Sequence, residues 1–510
     1  MKPVKIMAID LGNSGGKCFV GTFSGDSFQI EEISRFDNEG VAFFLRDRNG
    51  KMVERIYWDD TYLYSNIING LSRYRREYSD HLDSIGIDTW GPDGQFITYD
   101  GEMVGKVYSY RDHRLDEMID ELTSRIDAYH IYEITGTQFQ PFNISNQLLW
   151  FMLNRSYLLQ PGYTFLPMPT IFYYYLGDVK KIDTTWASVT QLMDAREKTW
   201  SNEILNKLGI PSNILPEIVP PGTLLGKLST PVARITGLNR GKLYAVGSHD
   251  TASAFAAAPV EEETEALIIS SGTWSLIGKL ISEPITTRQA FEANISNEGG
   301  IGNIRCLKNC MGLWIVQELR RTWREMDGKN MAWDEMIRLV ENAPSFSSFI
   351  DPDNQIFYNQ KNMEAAITEY CRRTGQKIPE SRGTCLRVVY ESLALKYRSV
   401  SEEIDRITGK KHKMAQIVGG GCRNETLNQF TANALDSTVC TGPADATAIG
   451  NIMVQAMGLG IIERLRNAVP LIKDGFSTHT YTPENRSLWK KAYRRFLAVT
   501  AAGDSKVTKM

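Results

Sequence analysis

One local pattern occurs twice in this chain. Met7–Gly16 followed by Lys17–Thr22 is an apolar run, a turn of glycines with polar side chains, and a return run; Leu267–Thr273 followed by Trp274–Lys279 repeats it about 260 residues later. A recurrence at roughly half of a 510-residue chain predicts two topologically related domains, each opening with its own hairpin. Strand-like and helical patterns alternate around both copies, which predicts an α/β fold. VKIMAID (4–10) and DSIGIDTWG (83–91) read as buried strands, and 58–80 carries apolar residues at helical spacing. MAQIVGGGCRNETLNQFTANAL (414–435) reads as a strand, a triple glycine and a helix, and 442–460 holds a small-residue helix.

Charge narrows the function classes. Fifty-seven Lys and Arg against sixty Asp and Glu leave a net charge of −3, so no basic footprint for nucleic acid or an anionic membrane exists. An anionic ligand must be held locally, by a few amides and side chains. Seven cysteines without a CxxC pair predict reduced thiols. Cys306 and Cys310, four apart, fit one helical face but lack the further ligands zinc needs. The N-terminus runs straight into a strand pattern, and the most apolar stretch, 165–176, is too short to span a bilayer. These features predict a cytoplasmic protein. No HExxH or Walker A loop occurs.

Three glycine-rich turns follow strands: Gly12–Gly16, Gly272–Ser275 and Gly419–Gly421. Glycines there allow close backbone approach and positive φ, so that neighbouring amides converge on phosphate oxygens, with Ser14, Ser271 and Thr273 as extra donors. Any one alone reads as a plain hairpin turn; together they fit a nucleotide. Asp10, before the first turn, either caps it or supports Mg²⁺ beside phosphates. Asp250 either N-caps the helix that follows or serves as base toward a hydroxyl, kept ionised by the helix N-terminus. Asp88, Asp93, Arg111, Asp112 and Arg114, with Trp90, fit a sugar-binding cluster or an ion-pair network that ties loops together.

DLGNSGGK, IDTWGPD, YRDHR, GSHDTASA, SSGTWSL, NEGG with LKNCMGLW, and VGGGCRN, in this order, resemble the FGGY carbohydrate kinases from Met7 to about Gly460. The resemblance implies two ribonuclease-H-like (actin-like ATPase) domains that close over ATP and a sugar in a cleft. It implies an N-terminal domain over 1–246, with the sugar side and first phosphate hairpin, and a C-terminal domain over 247–510, with the nucleotide side and the base. It assigns Asp250 as catalytic base, and Gly91, Asp93, His249, Thr251 and Asn309 as sugar contacts. Asn13, Ser14, Gly15, Gly16, Lys17, Thr273, Gln317 and Gly420 become nucleotide contacts, and Asp10 the Mg²⁺ carboxylate. The implied activity is transfer of phosphate from ATP, with Mg²⁺, to the 1-hydroxyl of a 6-deoxy-ketohexose. L-rhamnulose comes first; L-fuculose, xylulose, ribulose and glycerol are alternatives, and a non-catalytic sugar sensor is the remote one. The expected partners are a small sugar and ATP alone, with no nucleic acid and no membrane, and the protein a monomer or homodimer. Two departures from the family pattern adjoin the site: Lys17 stands where arginine is usual, and Pro92, Gly94 and Gln95 alter the loop after Trp90.

Overall fold

The computed structural model describes residues 2–25, 27–47, 49–261, 265–358 and 360–507, with side chains through 501. Two compact units account for them. The first comprises 1–261, 280–306 and 445–475; the second comprises 262–279, 307–444 and 476–510.

The first unit is built on β1 (Val4–Gly12), β2 (Gly15–Ser24), β3 (Ser27–Asp37), β4 (Ser84–Thr89), β5 (Leu224–Lys227) and β6 (Lys242–Tyr244). Their order across the sheet is β5-β6-β4-β1-β2-β3. β1 and β2 form the first expected hairpin, and β4 joins the free edge of β1 in parallel, with Asp10 opposite Asp88. Ile6 to Ile9 are fully buried, as an unbroken apolar run requires of a strand covered on both faces. Helix Asp60–Glu77 lies against β2 and β3; helices Asp250–Ala256 and Ala446–Gly458 pack on each other and on β1 and β4. Gly86 lets the latter approach the sheet: a Cβ there would stand 2.5 Å from Asn451 Oδ1.

The second unit repeats the arrangement. β7 (Ala266–Ser271) and β8 (Trp274–Ile281) form the second hairpin. β9 (Ile304–Met311), β10 (Met414–Val418), β11 (Thr438–Thr441) and β12 (His479–Tyr481) extend it in the order β9-β8-β7-β10-β11-β12. Here β10 is the parallel neighbour of β7, as β4 is of β1. Each sheet thus holds a hairpin whose first strand gains a parallel partner from far along the chain.

Three expectations need correction. A division at 246/247 puts Asp250 in the C-terminal domain, whereas its helix belongs to the first unit because it packs against helix Ala446–Gly458 and β1. Cys306 and Cys310 lie on strand β9 rather than on a helix, and all seven cysteines are free thiols. None of Gly12, Gly15, Gly16 or Gly272 has positive φ; only Gly419, at 85°, does among the glycines of the three turns. Gly16 instead makes room, because a Cβ there would run into the Phe36 ring.

Among the described residues, no helix is long and apolar enough to cross a membrane.

Candidate active site

In the first unit the site grows from the end of β1. Strand register sets Asp10 beside Asp88 on one side and Lys17 on the other. Asp88 is fully buried; its Oδ2 accepts a 2.6 Å hydrogen bond from Asn451 Nδ2, and among the described residues Oδ1 has no hydrogen-bond partner. Gln455, one turn on, donates to Asn451 Oδ1 (2.7 Å) and to the Met7 carbonyl (2.9 Å), which fixes the amide that holds Asp88. Burial and the neighbouring Asp10 push the Asp88 carboxyl well above the usual carboxylate range. Asp10 is pushed up to about 6, by burial first; Lys17 opposes the rise, and Asp250 and Asp445 add to it. Lys17 Nζ meets Asp445 Oδ1 at 3.1 Å, each side chain about a quarter exposed.

Asp250 is the first residue of helix Asp250–Ala256, and His249 occupies the N-cap. Its Oδ1 accepts from Thr251 Oγ1 (3.0 Å) and lies 3.6 Å from His249 Nε2; the side chain is 30% exposed. The helix start does not hold this carboxyl at its ordinary pKa. Burial raises it, against the pull of His249, the Thr251 hydroxyl and amide, and Arg305. Arg305 is fully buried and serves three groups: Nε donates to the Gly299 carbonyl (2.9 Å), and Nη2 lies 3.1 Å from Glu298 Oε2 and 3.2 Å from His249 Nδ1. His249 Nδ1 thus lies between the Arg305 guanidinium and Glu298 Oε2, 3.5 Å away, while Nε2 faces Asp250. Gly91 lies against the same ring: a Cβ there would stand 2.8 Å from His249 Nε2.

Asp93 differs from its expected place among the sugar contacts. It is fully buried, with φ of 87°. Trp58 Nε1 (2.6 Å), Trp90 Nε1 (3.1 Å) and the Tyr110 amide (3.1 Å) donate to Oδ2, and Gln147 Nε2 (3.0 Å) donates to Oδ1. It has no exposed surface and ties together the Trp58 and Trp90 rings, 4.5 Å apart. Arg114 and Asp112 form the ion-pair network that was the alternative reading of their cluster, 3.7 Å apart, with Arg55 3.8 Å from the same carboxylate. In the first hairpin turn, Asn13 donates to Tyr110 Oη (2.9 Å), Ser14 is exposed, and Gly12 and Gly15 pair across the turn.

The second unit brings Thr273, Gln317 and Gly420 to one edge of its sheet. β7 and β10 run in parallel, so the turns that follow them emerge at the same end. Gly419 and Gly421 abut Ser271, and Gly420 has open space above it. Amides of Gly312, Leu313 and Trp314 donate to the carbonyls of Gly272 and Thr273, docking helix Trp314–Asp327 on the hairpin turn, with Thr273 Oγ1 3.5 Å from Gln317 Oε1. Asn309 lies on β9 in this unit.

Comparison with known proteins decides the family. Residues 54–256 match the N-terminal domain, and 267–459 the C-terminal domain, of the FGGY family of carbohydrate kinases. A rhamnulokinase of Bacteroides thetaiotaomicron is 37% identical over 490 residues, 96% of this chain and 98% of that protein. The chain belongs to the FGGY family. A rhamnulokinase of Pectobacterium carotovorum is likewise 37% identical, over 97% of this chain and 96% of its own length. The ligand-bound xylulose kinase of Lactobacillus acidophilus superposes with a TM-score of 0.79 at 15% identity, covering 98% of both chains, a likeness of fold.

Within this FGGY kinase, sequence reasoning missed Arg305, Asn451, Gln455, Trp58 and Gln147. Asn451 and Gln455 left a signal: two amides four apart on a helix otherwise made of small and apolar residues mark a face turned to buried polar groups. Arg305, one of two charges in the run IRCLKNCM, gave none.

The residues present fit a divalent cation. Among the described residues no group of three or more His, Cys, Asp or Glu forms a metal cage, but Mg²⁺ is ordinarily held by one or two carboxylates with water and phosphate oxygens. Asp10, whose ionisation burial and the Asp250 and Asp445 charges oppose, has the negative surroundings that a cation would relieve.

Proposed function

We propose that this protein is an ATP-dependent kinase of a 6-deoxy-ketohexose that converts L-rhamnulose to L-rhamnulose 1-phosphate. Sequence identity over nearly the whole length of two rhamnulokinases carries the choice of sugar. In this reading Asp250 accepts the proton of the 1-hydroxyl as its oxygen bonds to the γ-phosphorus and the bond to the β-phosphate oxygen breaks, releasing ADP. The transition state is loose, so the carboxylate orients the hydroxyl first and takes the proton late. His249, whose ring Arg305 holds, Thr251, Gly91 and Asn309 contact the sugar. Asn13, Ser14, Gly15, Gly16 and Lys17 hold phosphate oxygens, and Thr273, Gln317 and Gly420 hold the nucleotide. Asp10 would hold Mg²⁺, which neutralises charge on the phosphates when bound. Asp93 acts indirectly, through the two tryptophans it orients. Free thiols, and a charge balance without a nucleic-acid footprint, fit a cytoplasmic enzyme acting as monomer or homodimer.

A coupled assay of ADP release across L-rhamnulose, L-fuculose, D-xylulose, D-ribulose and glycerol tests the reading. L-rhamnulose is expected to give the highest kcat/KM, by about tenfold or more, since a site built for a given hydroxyl set leaves polar groups unpaired with the wrong one. A higher value for any other acceptor would replace the assigned sugar.

A further inference from the structure

A cavity of about 390 Å³ opens in the first unit where the hairpin Val41–Arg46/Met52–Trp58 meets the end of helix Ile144–Asn154, and none of the groups assigned to sugar or nucleotide lines it. Three guanidinium groups do: Arg46, Arg55 and Arg155. Their charges are poorly offset. Among the described residues, neither Arg46 nor Arg155 has a carboxylate within 4 Å; Arg46 donates to the Gly50 carbonyl (2.9 Å) and Arg155 to Tyr108 Oη (2.8 Å). Arg55 is 3.8 Å from Asp112, a carboxylate it shares with buried Arg114. Asp47, the carboxylate among the lining residues, turns Oδ1 to the amides of Asn49 and Lys51, both at 2.9 Å.

The walls hold one of these charges in place. The Arg155 guanidinium lies 5.6 Å from the Tyr108 ring centre and 5.7 Å from that of Trp150. Arg114 supports the same tyrosine at 4.2 Å, and Tyr57 packs 4.7 Å from it. A guanidinium fixed against rings keeps its outward N–H groups directed, which cuts the entropy cost of gripping an oxyanion.

We propose that this cavity is a second binding site, specific for a phosphate monoester on a small polyol, that is, a sugar phosphate. Three guanidinium groups on one cavity supply the positive charge and N–H donors that a phosphate dianion takes. The aromatic walls suit the C–H faces of a carbohydrate, and the volume lies in the range of small-molecule sites. A free phosphate would leave those walls unused, and a polyanion would need a wider basic surface than a chain of net charge −3 offers. The site stands whatever sugar the enzyme phosphorylates.

Calorimetric titration of the full chain with fructose 1-phosphate and with inorganic phosphate tests it, comparing wild type with Arg46→Ala/Arg155→Ala and with Arg155→Lys. Thermal midpoints serve as the check of folding. The wild type is expected to show a saturable event for the ester that weakens at least about tenfold in the double variant, the worth of one or two lost charge-assisted contacts. Arg155→Lys should fall between the two, keeping charge without the fork. An ester isotherm unchanged by the double variant, or no saturable binding to the wild type, would overturn the site; phosphate binding as tightly as the ester would overturn its assignment to a sugar phosphate.

Discussion

Asp10 shows how a single position can work against the fold while serving the site. Its carboxyl titrates near 6 because burial and the Asp250 and Asp445 charges outweigh Lys17. A raised carboxylate pKa means that ionisation is penalised in the folded state: the penalty is absent below the unfolded value near 4, grows as pH rises to about 6, and is complete above it. Asp10→Asn should therefore raise the thermal midpoint of the ligand-free protein at pH 8, on the order of 1–2 kcal/mol after allowing for its partial exposure, and do little at pH 5. Turnover with Mg²⁺ and ATP should fall sharply in the same variant. Scanning calorimetry at the two pH values, paired with an ADP assay, checks both parts; a variant no more stable at pH 8 would mean that the carboxylates do not strain one another. At this scale the sequence was only partly legible. Asp10 and Asp250 stand out because glycine turns and a small-residue helix flank them. Asp93 read as a sugar contact beside Trp90, and only the fold reveals Trp58 and Gln147, 35 and 54 residues away, closing over its oxygens.

The elements were legible wherever a period was unbroken. The two hairpins, the helix over 60–77, strand 84–89 and the strand–glycine–helix unit near 414–435 follow from apolar runs bounded by turn residues. Strand β9 was not: NIRCLKNCM gives apolar residues at both strand and helix spacings, and a four-residue cysteine interval suits either. Packing between elements was less visible still. Helices Asp250–Ala256 and Ala446–Gly458 cross where Gly450 meets the Ser253 backbone so closely that a Cβ has no room. Gly450→Ala should destabilise the protein by about 1–3 kcal/mol, overpacking outweighing the gain in helix propensity. It should also lower kcat by shifting the helix that begins with Asp250. Urea midpoints read the first effect and steady-state kinetics the second; unchanged values would mean that the crossing tolerates a methyl group.

For the whole chain, the recurrence of one hairpin pattern predicted two related α/β units, and each sheet does carry a hairpin with a parallel neighbour. Where the units divide was not readable, because 445–475 returns to the first unit after the chain has built most of the second. That return supplies Asn451 to Asp88 and Asp445 to Lys17, so residues distant in sequence complete the surroundings of Asp10. The proposed activity turns on Asp250 serving as base to a sugar hydroxyl. The variant Asp250→Asn isolates that role, with sugar and ATP affinities measured by calorimetry and turnover by ADP release. Both affinities should stay within about threefold of wild type while kcat drops at least about 100-fold, the usual worth of a general base; near-normal turnover in the variant would remove Asp250 from that role.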